Sequence, residues 1–153
     1  MSSAEIFNFI RIDDKTITAG QPTEDQLRSV SGEGYQAVIN LATIDPRYSL
    51  DDEEKSCKSL GMTYFHIPVE WENPRLEDYE EFKRVMTEVA DQKVLIHCAA
   101  NYRVTAFYAA YAKLCLNWSD EQAKDLRARI WESNPDWQMD AAWSDFMQAI
   151  DGL

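Results

Sequence analysis

The sequence has few of the residues and patterns that metal-dependent, disulfide-bonded or membrane-spanning proteins require. It contains 3 cysteines and 2 histidines in 153 residues, and Cys57, Cys98 and Cys115 are not spaced like metal ligands. An odd number of cysteines also disfavours a disulfide framework. No apolar run approaches the roughly 18 residues of a membrane-spanning helix, and no basic segment leads into an apolar one at the amino terminus. We therefore expect a cytoplasmic protein with reduced cysteines, no membrane association and no metal or cofactor.

Positive charge is also scarce. Lysine and arginine number 15 against 27 aspartates and glutamates, which gives a formal net charge of -12. Nucleic acids need a positive surface, so a nucleic-acid partner is not expected. A small anion remains compatible with this charge, because backbone amides and one arginine can bind it locally. The hydrophobic share of 45% predicts a folded chain, and the length predicts a single domain over residues 1–153.

Strand and helix patterns alternate along the chain. The segments NFIRID and KTITAG read as strands around a turn at Asp13 and Asp14, and QAVINL, TYFHIPV and KVLIH read as further strands. Capping-box spacing predicts helices after Thr23 and Ser119. Further helices are predicted over DDEEKSCKSLG, residues 76–90, VTAFYAAYAKLCL and residues 135–150. This alternation predicts an α/β fold with a central, mostly parallel sheet of about five strands flanked by helices.

The segment HCAANYR, residues 97–103, joins the strand KVLIH to the apolar helix that follows. Ligands bind at this edge of parallel sheets, beyond the carboxyl ends of the strands. At a helix N-terminus, the partial positive charge, the backbone amides and the guanidinium of Arg103 all favour the thiolate of Cys98. The loop contains no glycine, and Asn101 is its residue with the greatest tolerance for the left-handed conformation. Ala99 and Ala100 are small enough for the backbone to approach a ligand.

Four segments, ITAGQPTEDQL, GYQAVINLA, GMTYFHIPVEWENP and VLIHCAANYRVTAFYAAY, occur in this order. In them the chain resembles a bacterial family of cysteine-dependent phosphatase-like domains related to the dual-specificity protein tyrosine phosphatases. The resemblance implies a protein tyrosine phosphatase-like fold that hydrolyses phosphomonoesters of a small phosphorylated molecule or a phosphoprotein. It implies that Cys98 forms a cysteinyl-phosphate and that Arg103 binds the phosphoryl oxygens. The implied substrate-binding residues are His97, Ala99, Ala100, Asn101, Tyr102 and Thr105.

Two of these residues carry further expectations from the same resemblance. His97 is expected to set the loop from the position just before the nucleophile. Thr105 either donates a hydrogen bond to the thiolate or packs the helix N-terminus.

A general acid is needed to protonate the leaving oxygen of a phosphoester. In the phosphatase relatives an aspartate supplies this proton from a loop that here reads VEWENPRLED. The candidates are Glu70 and Glu72, and Glu70 is favoured because it lies nearer the end of the strand. Both glutamates also fit a simple solvated role in this acidic chain, and Asp78 fits a charge in the first turn of the next helix.

Four residues separate Cys98 from Arg103, whereas five separate the two residues in tyrosine phosphatases. Rhodanese-like sulfurtransferases use the four-residue interval and carry a persulfide on their cysteine. A rhodanese-like sulfurtransferase is therefore the alternative enzyme, and a non-catalytic domain that binds an anion or a partner is the non-enzymatic alternative. The remaining cysteines, Cys57 and Cys115, are expected to be packing thiols within helices.

Overall fold

The computed structural model describes residues 2–133 and 141–153. Its strands are β1 Ile10–Arg11, β2 Thr16–Ala19, β3 Ala37–Asn40, β4 Thr63–His66 and β5 Val94–His97. Its α-helices are α1 Glu24–Gly32, α2 Glu53–Ser59, α3 Leu76–Glu88, α4 Tyr102–Cys115, α5 Asp120–Trp131 and α6 Ala141–Asp151, and a 3-10 helix spans Ser3–Glu5. The alternating α/β order predicted from the sequence is confirmed. The predicted start of the last helix, at residues 135–140, lies outside the described residues.

One sheet holds the five described strands in the order β1-β2-β5-β3-β4. Strand β1 is antiparallel to β2, and the other neighbours are parallel, which confirms the mostly parallel sheet. His97 at the end of β5 is in register with Ala19 at the end of β2 and with Asn40 at the end of β3. The carboxyl ends of three strands therefore meet at one edge, and the loop after β5 begins there.

The sequence signals for helix ends act as expected. Thr23 accepts a hydrogen bond from the backbone N–H of Gln26 at 3.1 Å, and Ser119 accepts one from the N–H of Gln122 at 3.1 Å. These capping boxes satisfy N–H groups that have no partner inside the helix. Gly61 adopts a φ of +80° just after α2, a left-handed conformation that glycine takes without strain.

Apolar residues pack on both faces of the sheet, because successive side chains of a strand point to opposite sides. Leu95 faces α1 and α2, together with Leu27 and Cys57. Val94 and Ile96 face the other side, where α3 to α6 pack. Helix α4 is buried from Arg103 to Ala112, which explains why its sequence is apolar nearly all round. No helix within residues 2–133 and 141–153 is long and apolar enough to cross a membrane.

Candidate active site

Cys98 lies directly after β5 and lines a cavity of about 580 Å³. Its side chain is almost fully buried, with 1% of the residue exposed. The lining of this cavity, called the Cys98 cavity below, comprises Cys98, Ala99, Ala100, Tyr102 and Arg103 of the loop, together with Arg47 and Trp71. The thiol is thus both buried and open to a cavity.

The loop turns through Asn101, which has a φ of +71° and is the N-cap residue of α4. The left-handed conformation expected of Asn101 is confirmed. Its side chain is fully buried and points away from the Cys98 cavity, because its Nδ2 donates to the carbonyl of Asn8 at 2.8 Å and to Oγ1 of Thr18 at 3.1 Å. The Asn101 side chain therefore anchors the loop instead of lining the cavity.

Three consecutive carbonyl groups of the loop face donors behind it. Nδ1 of His97 lies 3.2 Å from the carbonyl oxygen of Cys98, and the N–H of Gln21 donates to Ala99 at 3.0 Å. Nδ2 of Asn8 donates to the carbonyl of Ala100 at 3.0 Å. In a trans peptide the C=O and N–H groups point in opposite directions. We therefore infer that the N–H groups of Ala99 and Ala100 point to the cavity side of the loop, where an anion would meet them. The backbone at Asn101 is instead engaged with the end of β2 through the antiparallel bridge between Gly20 and Ala100.

The guanidinium of Arg103 enters the Cys98 cavity from the first turn of α4. Arg103 is 8% exposed, and its Nη1 donates to the carbonyl of Leu41 at 3.4 Å. Its guanidinium carbon lies 5.9 Å from the ring centroid of Trp71. In the part of the chain that the structure describes, Arg103 forms no ion pair with a carboxylate. A buried cation without a counterion favours the binding of an anion beside it.

Glu70 and Glu72 follow β4 and line a second cavity of about 400 Å³, called the Glu70 cavity below. Arg47, Trp71 and Arg103 line both cavities, so the two adjoin at Arg103. Both glutamates are exposed and neither lines the Cys98 cavity itself. The structure places both Glu70 and Glu72 in the cavity that adjoins the Cys98 cavity. The catalytic role of Glu70 stays a prediction.

Asp45 is a third carboxylate in the Glu70 cavity. Hydrogen bonds from the side chain and backbone of Arg47 lower the pKa of Asp45 to about 2. Asp45 is therefore ionised at neutral pH and carries no proton to donate. Asp78, by contrast, lies outside both cavities and accepts hydrogen bonds from the backbone N–H of Arg75 at 3.1 Å and from its guanidinium at 3.3 Å, as a first-turn helix charge does.

Trp71 is a cavity residue that the sequence reasoning missed. Its ring stacks on Trp131 with centroids 5.7 Å apart, and its carbonyl accepts a hydrogen bond from Nε1 of Trp143 at 2.8 Å. Nε1 of Trp131 in turn donates to the carbonyl of Tyr102 at 3.0 Å. Trp131 and Trp143 thus bind the backbone of two residues that line the Cys98 cavity, Tyr102 and Trp71. Trp131 and Trp143 are both buried, and Trp137 lies outside the described residues.

Glu53 is the second residue that the sequence reasoning missed. Its carboxylate is buried beneath the loop, where Oε2 lies 2.5 Å from Nε2 of His97 and Oε1 accepts a hydrogen bond from Nε2 of Gln21 at 2.8 Å. Burial raises the pKa of Glu53, but the charge of His97 and the hydrogen bonds from His97 and Gln21 outweigh it, so that the pKa lies below its ordinary value. His97 sits behind the loop, as the expectation that it sets the loop requires.

Thr105 is buried in the first turn of α4. Its hydroxyl donates to the carbonyl of Asn101 at 2.9 Å and lies 3.2 Å from the carbonyl of Tyr102. Of the two roles considered for Thr105, this geometry favours packing of the helix N-terminus, because the hydroxyl proton is directed at backbone oxygens.

The other two thiols differ from each other. Cys57 is fully buried, and burial raises the pKa of its thiol to about 12, so the prediction of a packing thiol is confirmed. The same prediction is wrong for Cys115, which is exposed where α4 ends. Within residues 2–133 and 141–153, no group of three or more histidine, cysteine or carboxylate side chains could hold a metal ion.

Residues 11–143 match the sequence profile of the family described as "DSP-PTPase phosphatase fused to NAD+ Kinase". The chain belongs to this family. The predicted relationship to dual-specificity and protein tyrosine phosphatases is thereby confirmed. A beta-lactamase hydrolase-like protein of Agrobacterium fabrum is 30% identical over 102 residues, which are 65% of this chain. The match spans only 23% of that longer protein.

Solved structures support the same family. A candidate phosphatase of the DUF442 group from Shewanella putrefaciens is 27% identical, with a TM-score of 0.83 over 98% of this chain and 95% of that one. P. aeruginosa TpbA, solved in complex with pTyr, has a TM-score of 0.74 over 99% of this chain and 90% of that one. Its identity of 14% shows a shared fold alone. The protein tyrosine phosphatase-like fold predicted from the sequence is confirmed.

Proposed function

We propose that this chain is a cysteine-dependent phosphatase that hydrolyses phosphomonoesters. The observation that carries the proposal is that Cys98, Ala99, Ala100 and Arg103 line one cavity, which the inferred loop N–H groups also face. An oxyanion needs donors around its oxygens and a cation that is not already paired, and this arrangement supplies both. Membership of a phosphatase family supports the same reaction.

The reaction proceeds in two displacements. The thiolate of Cys98 attacks phosphorus, an S–P bond forms, and the P–O bond to the leaving group breaks. Water then attacks the cysteinyl-phosphate, which breaks the S–P bond and releases inorganic phosphate and the thiolate. Arg103 and the loop N–H groups bind the phosphoryl oxygens in both steps, and they stabilise the charge that develops there.

Glu70 is the proposed general acid for the first displacement. It gives its proton to the leaving oxygen and, as a carboxylate, takes one from the attacking water in the second step. Its position in the Glu70 cavity, which adjoins the Cys98 cavity at Arg103, supports this role.

The proposed substrate-binding residues fall into two groups. Ala99, Ala100 and Tyr102 line the Cys98 cavity, whereas His97, Asn101 and Thr105 act from behind the loop.

The substrate is a phosphorylated small molecule or the phosphorylated side chain of a protein. The Cys98 cavity of about 580 Å³ has room for a phosphoryl group and part of its leaving group. TpbA was solved with pTyr, and the shared fold supports an aryl phosphate as the first substrate to test.

Hydrolysis of para-nitrophenyl phosphate tests the proposal. We expect Cys98→Ser and Arg103→Ala to abolish turnover, vanadate to inhibit it and a chelator to leave it unchanged. Cys115→Ser is the matched control, because it removes an exposed thiol outside the cavity and should retain full activity. A folded protein without turnover from acid to neutral pH would refute the proposal. Tight binding of inorganic phosphate in that case would indicate a non-catalytic anion-binding domain.

Sulfur transfer is the second candidate, because the four-residue interval between Cys98 and Arg103 is the one that rhodanese-like enzymes use. In that reaction the thiolate takes the outer sulfur of thiosulfate and releases sulfite, and cyanide then removes this sulfur as thiocyanate. Incubation with thiosulfate should add one sulfur to Cys98 by mass, and cyanide should then yield thiocyanate. Absence of both products would exclude this reaction.

A further inference from the structure

Glu53 is a buried carboxylate with two side-chain donors, and it lies on the opposite side of the loop from the cavity. It is the first residue of α2 and 7% exposed. Its neighbours Asp52 and Glu54 are exposed, so α2 turns one carboxylate of this acidic stretch inward. That carboxylate meets His97 Nε2 at 2.5 Å and Gln21 Nε2 at 2.8 Å.

His97 faces hydrogen-bond acceptors at both of its ring nitrogens. Nε2 meets the carboxylate of Glu53, and Nδ1 lies 3.2 Å from the carbonyl oxygen of Cys98. A neutral imidazole carries one N–H and can serve only one of these acceptors, whereas an imidazolium donates to both. His97 is fully buried, and a buried imidazolium requires a counterion, which Glu53 provides.

Other titratable groups face this pair from neighbouring elements. Burial is the first cause of the raised pKa values of Cys57 on α2 and Tyr64 on β4, and the carboxylate of Glu53 is the second cause of both. His66 on β4 helps to lower the pKa of Glu53, after the larger effects of burial, His97 and Gln21. Two further carboxylates have smaller effects: Glu24 also raises the pKa of Cys57, and Glu54 also raises that of Tyr64. Among the titratable groups named here, His97 is the one that contacts the backbone of Cys98.

Resting on the phosphatase function proposed above, we propose that Glu53 is a positioning residue that keeps His97 doubly protonated beneath the loop. The Nδ1–H of His97 then holds the carbonyl of Cys98, and the next N–H, that of Ala99, is turned to the cavity side. The positive charge of the imidazolium also lies one residue from the nucleophile, where it favours the thiolate. Glu53 acts only through His97 and does not touch the substrate.

The protonation state of His97 is a direct test that needs no turnover. The chain has 2 histidines, so the ring ¹⁵N signals of His97 are assigned by comparison with a His66→Asn variant. We expect both ring nitrogens of His97 to carry a proton at neutral pH. An unprotonated ring nitrogen in the unmodified chain would overturn the proposal.

The second test compares Glu53→Gln with Glu54→Gln, which makes the same change of charge at the exposed neighbouring residue. Both are made in a Cys115→Ser background, so that iodoacetamide reports on Cys98 instead of the exposed thiol. In mildly acidic buffer we expect Glu53→Gln to slow alkylation of Cys98 and to weaken vanadate binding, each by about tenfold. The reason is that His97, without its counterion, loses the positive charge that favours the thiolate and the bound anion. Glu54→Gln should change neither, and Glu53→Asp should restore part of each.

Equal alkylation profiles for Glu53→Gln and Glu54→Gln would refute the proposal. If Glu53→Gln does not fold, the ¹⁵N spectrum of the unmodified chain and the Glu53→Asp variant still decide it. These readouts also separate the two proposals. Absent phosphatase turnover with a doubly protonated His97 would refute the reaction and leave the positioning role of Glu53 standing.

Discussion

Gly20 and Ala99 approach so closely that a Cβ atom added to Gly20 would lie 2.6 Å from the carbonyl oxygen of Ala99. The same carbonyl accepts the N–H of Gln21 at 3.0 Å, so the chain after β2 is bonded directly to the back of the Cys98 loop. The glycine of the AGQPT motif is therefore required for this contact, and the turn that the motif forms supports the candidate active site.

Gly20→Ala should displace the loop. Backbone atoms cannot move aside as a flexible side chain can, so we expect a loss of about 2 kcal/mol of unfolding free energy and a larger loss of vanadate affinity. Chemical denaturation and vanadate titration measure the two effects. Gly32→Ala is the control, because nothing lies within 4 Å of a Cβ at this position in α1. It should stabilise the protein by about 0.5–1 kcal/mol and leave anion binding unchanged.

Asn101 combines a backbone role with a side-chain role, and two substitutions separate them. Asn101→Gly retains the φ of +71° and loses the hydrogen bonds to Asn8 and Thr18. Asn101→Ala loses the same bonds and adds a left-handed strain of about 1–2 kcal/mol. We therefore expect alanine to reduce stability and vanadate affinity more than glycine does. Equal effects of the two variants would show that the left-handed φ of residue 101 contributes little to stability or to vanadate affinity.

Glu70 should be the residue that protonates the leaving group. Glu70→Gln is expected to slow hydrolysis of an alkyl phosphate about 100-fold, because its alkoxide needs a proton, and to slow para-nitrophenyl phosphate less. Rates for the two substrates across pH measure this difference. Glu72→Gln is the matched control from the same cavity, and similar losses in both variants would place the acid elsewhere.

The lowered pKa of Glu53 predicts a dependence of stability on pH. Its folded-state pKa lies below the ordinary value of 4.5, so its carboxylate contributes stability that is fully present above that pH and is lost as the pH falls through the folded-state value. We expect Glu53→Gln to reduce unfolding free energy by about 3 kcal/mol at neutral pH, since a buried charge loses its partner.

The loss caused by Glu53→Gln should shrink as the pH falls below 4.5 and through the folded-state pKa of Glu53, because the carboxylate of the unmodified chain is then neutralised. Denaturant unfolding of both proteins across this range provides the measurement. A loss of the same size at every pH would contradict the prediction.

Much of the fold could be predicted because its signals are local. Thr23 and Ser119 mark helix starts through contacts three residues away, and alternating segments indicate strands and helices without reference to the rest of the chain. The position of Cys98 followed from the same logic, since loops after parallel strands meet at one edge of a sheet. Asn101 was predictable for a similar reason, because a loop that must turn without glycine uses its asparagine.

The supports of the site could not be predicted in this way. Glu53 stands in the run DDEE, whose four carboxylates look alike in the sequence, and only the docking of α2 against the end of β5 selects one of them for His97. Trp71 is held by Trp131 and Trp143, which lie 60 or more residues away along the chain.

The sequence by itself determined the chemistry that this protein carries, namely a cysteine and an arginine on a loop at a helix N-terminus. The tertiary structure decided how that loop is held: Asn8, Gly20 and Gln21 contact it directly, and Glu53 contacts its first residue, His97. The physical reason is the separation along the chain between the groups that interact. Helix caps and turns depend on neighbours in the chain, whereas hydrogen bonds that orient a loop depend on groups that only folding brings within 3 Å or so of each other.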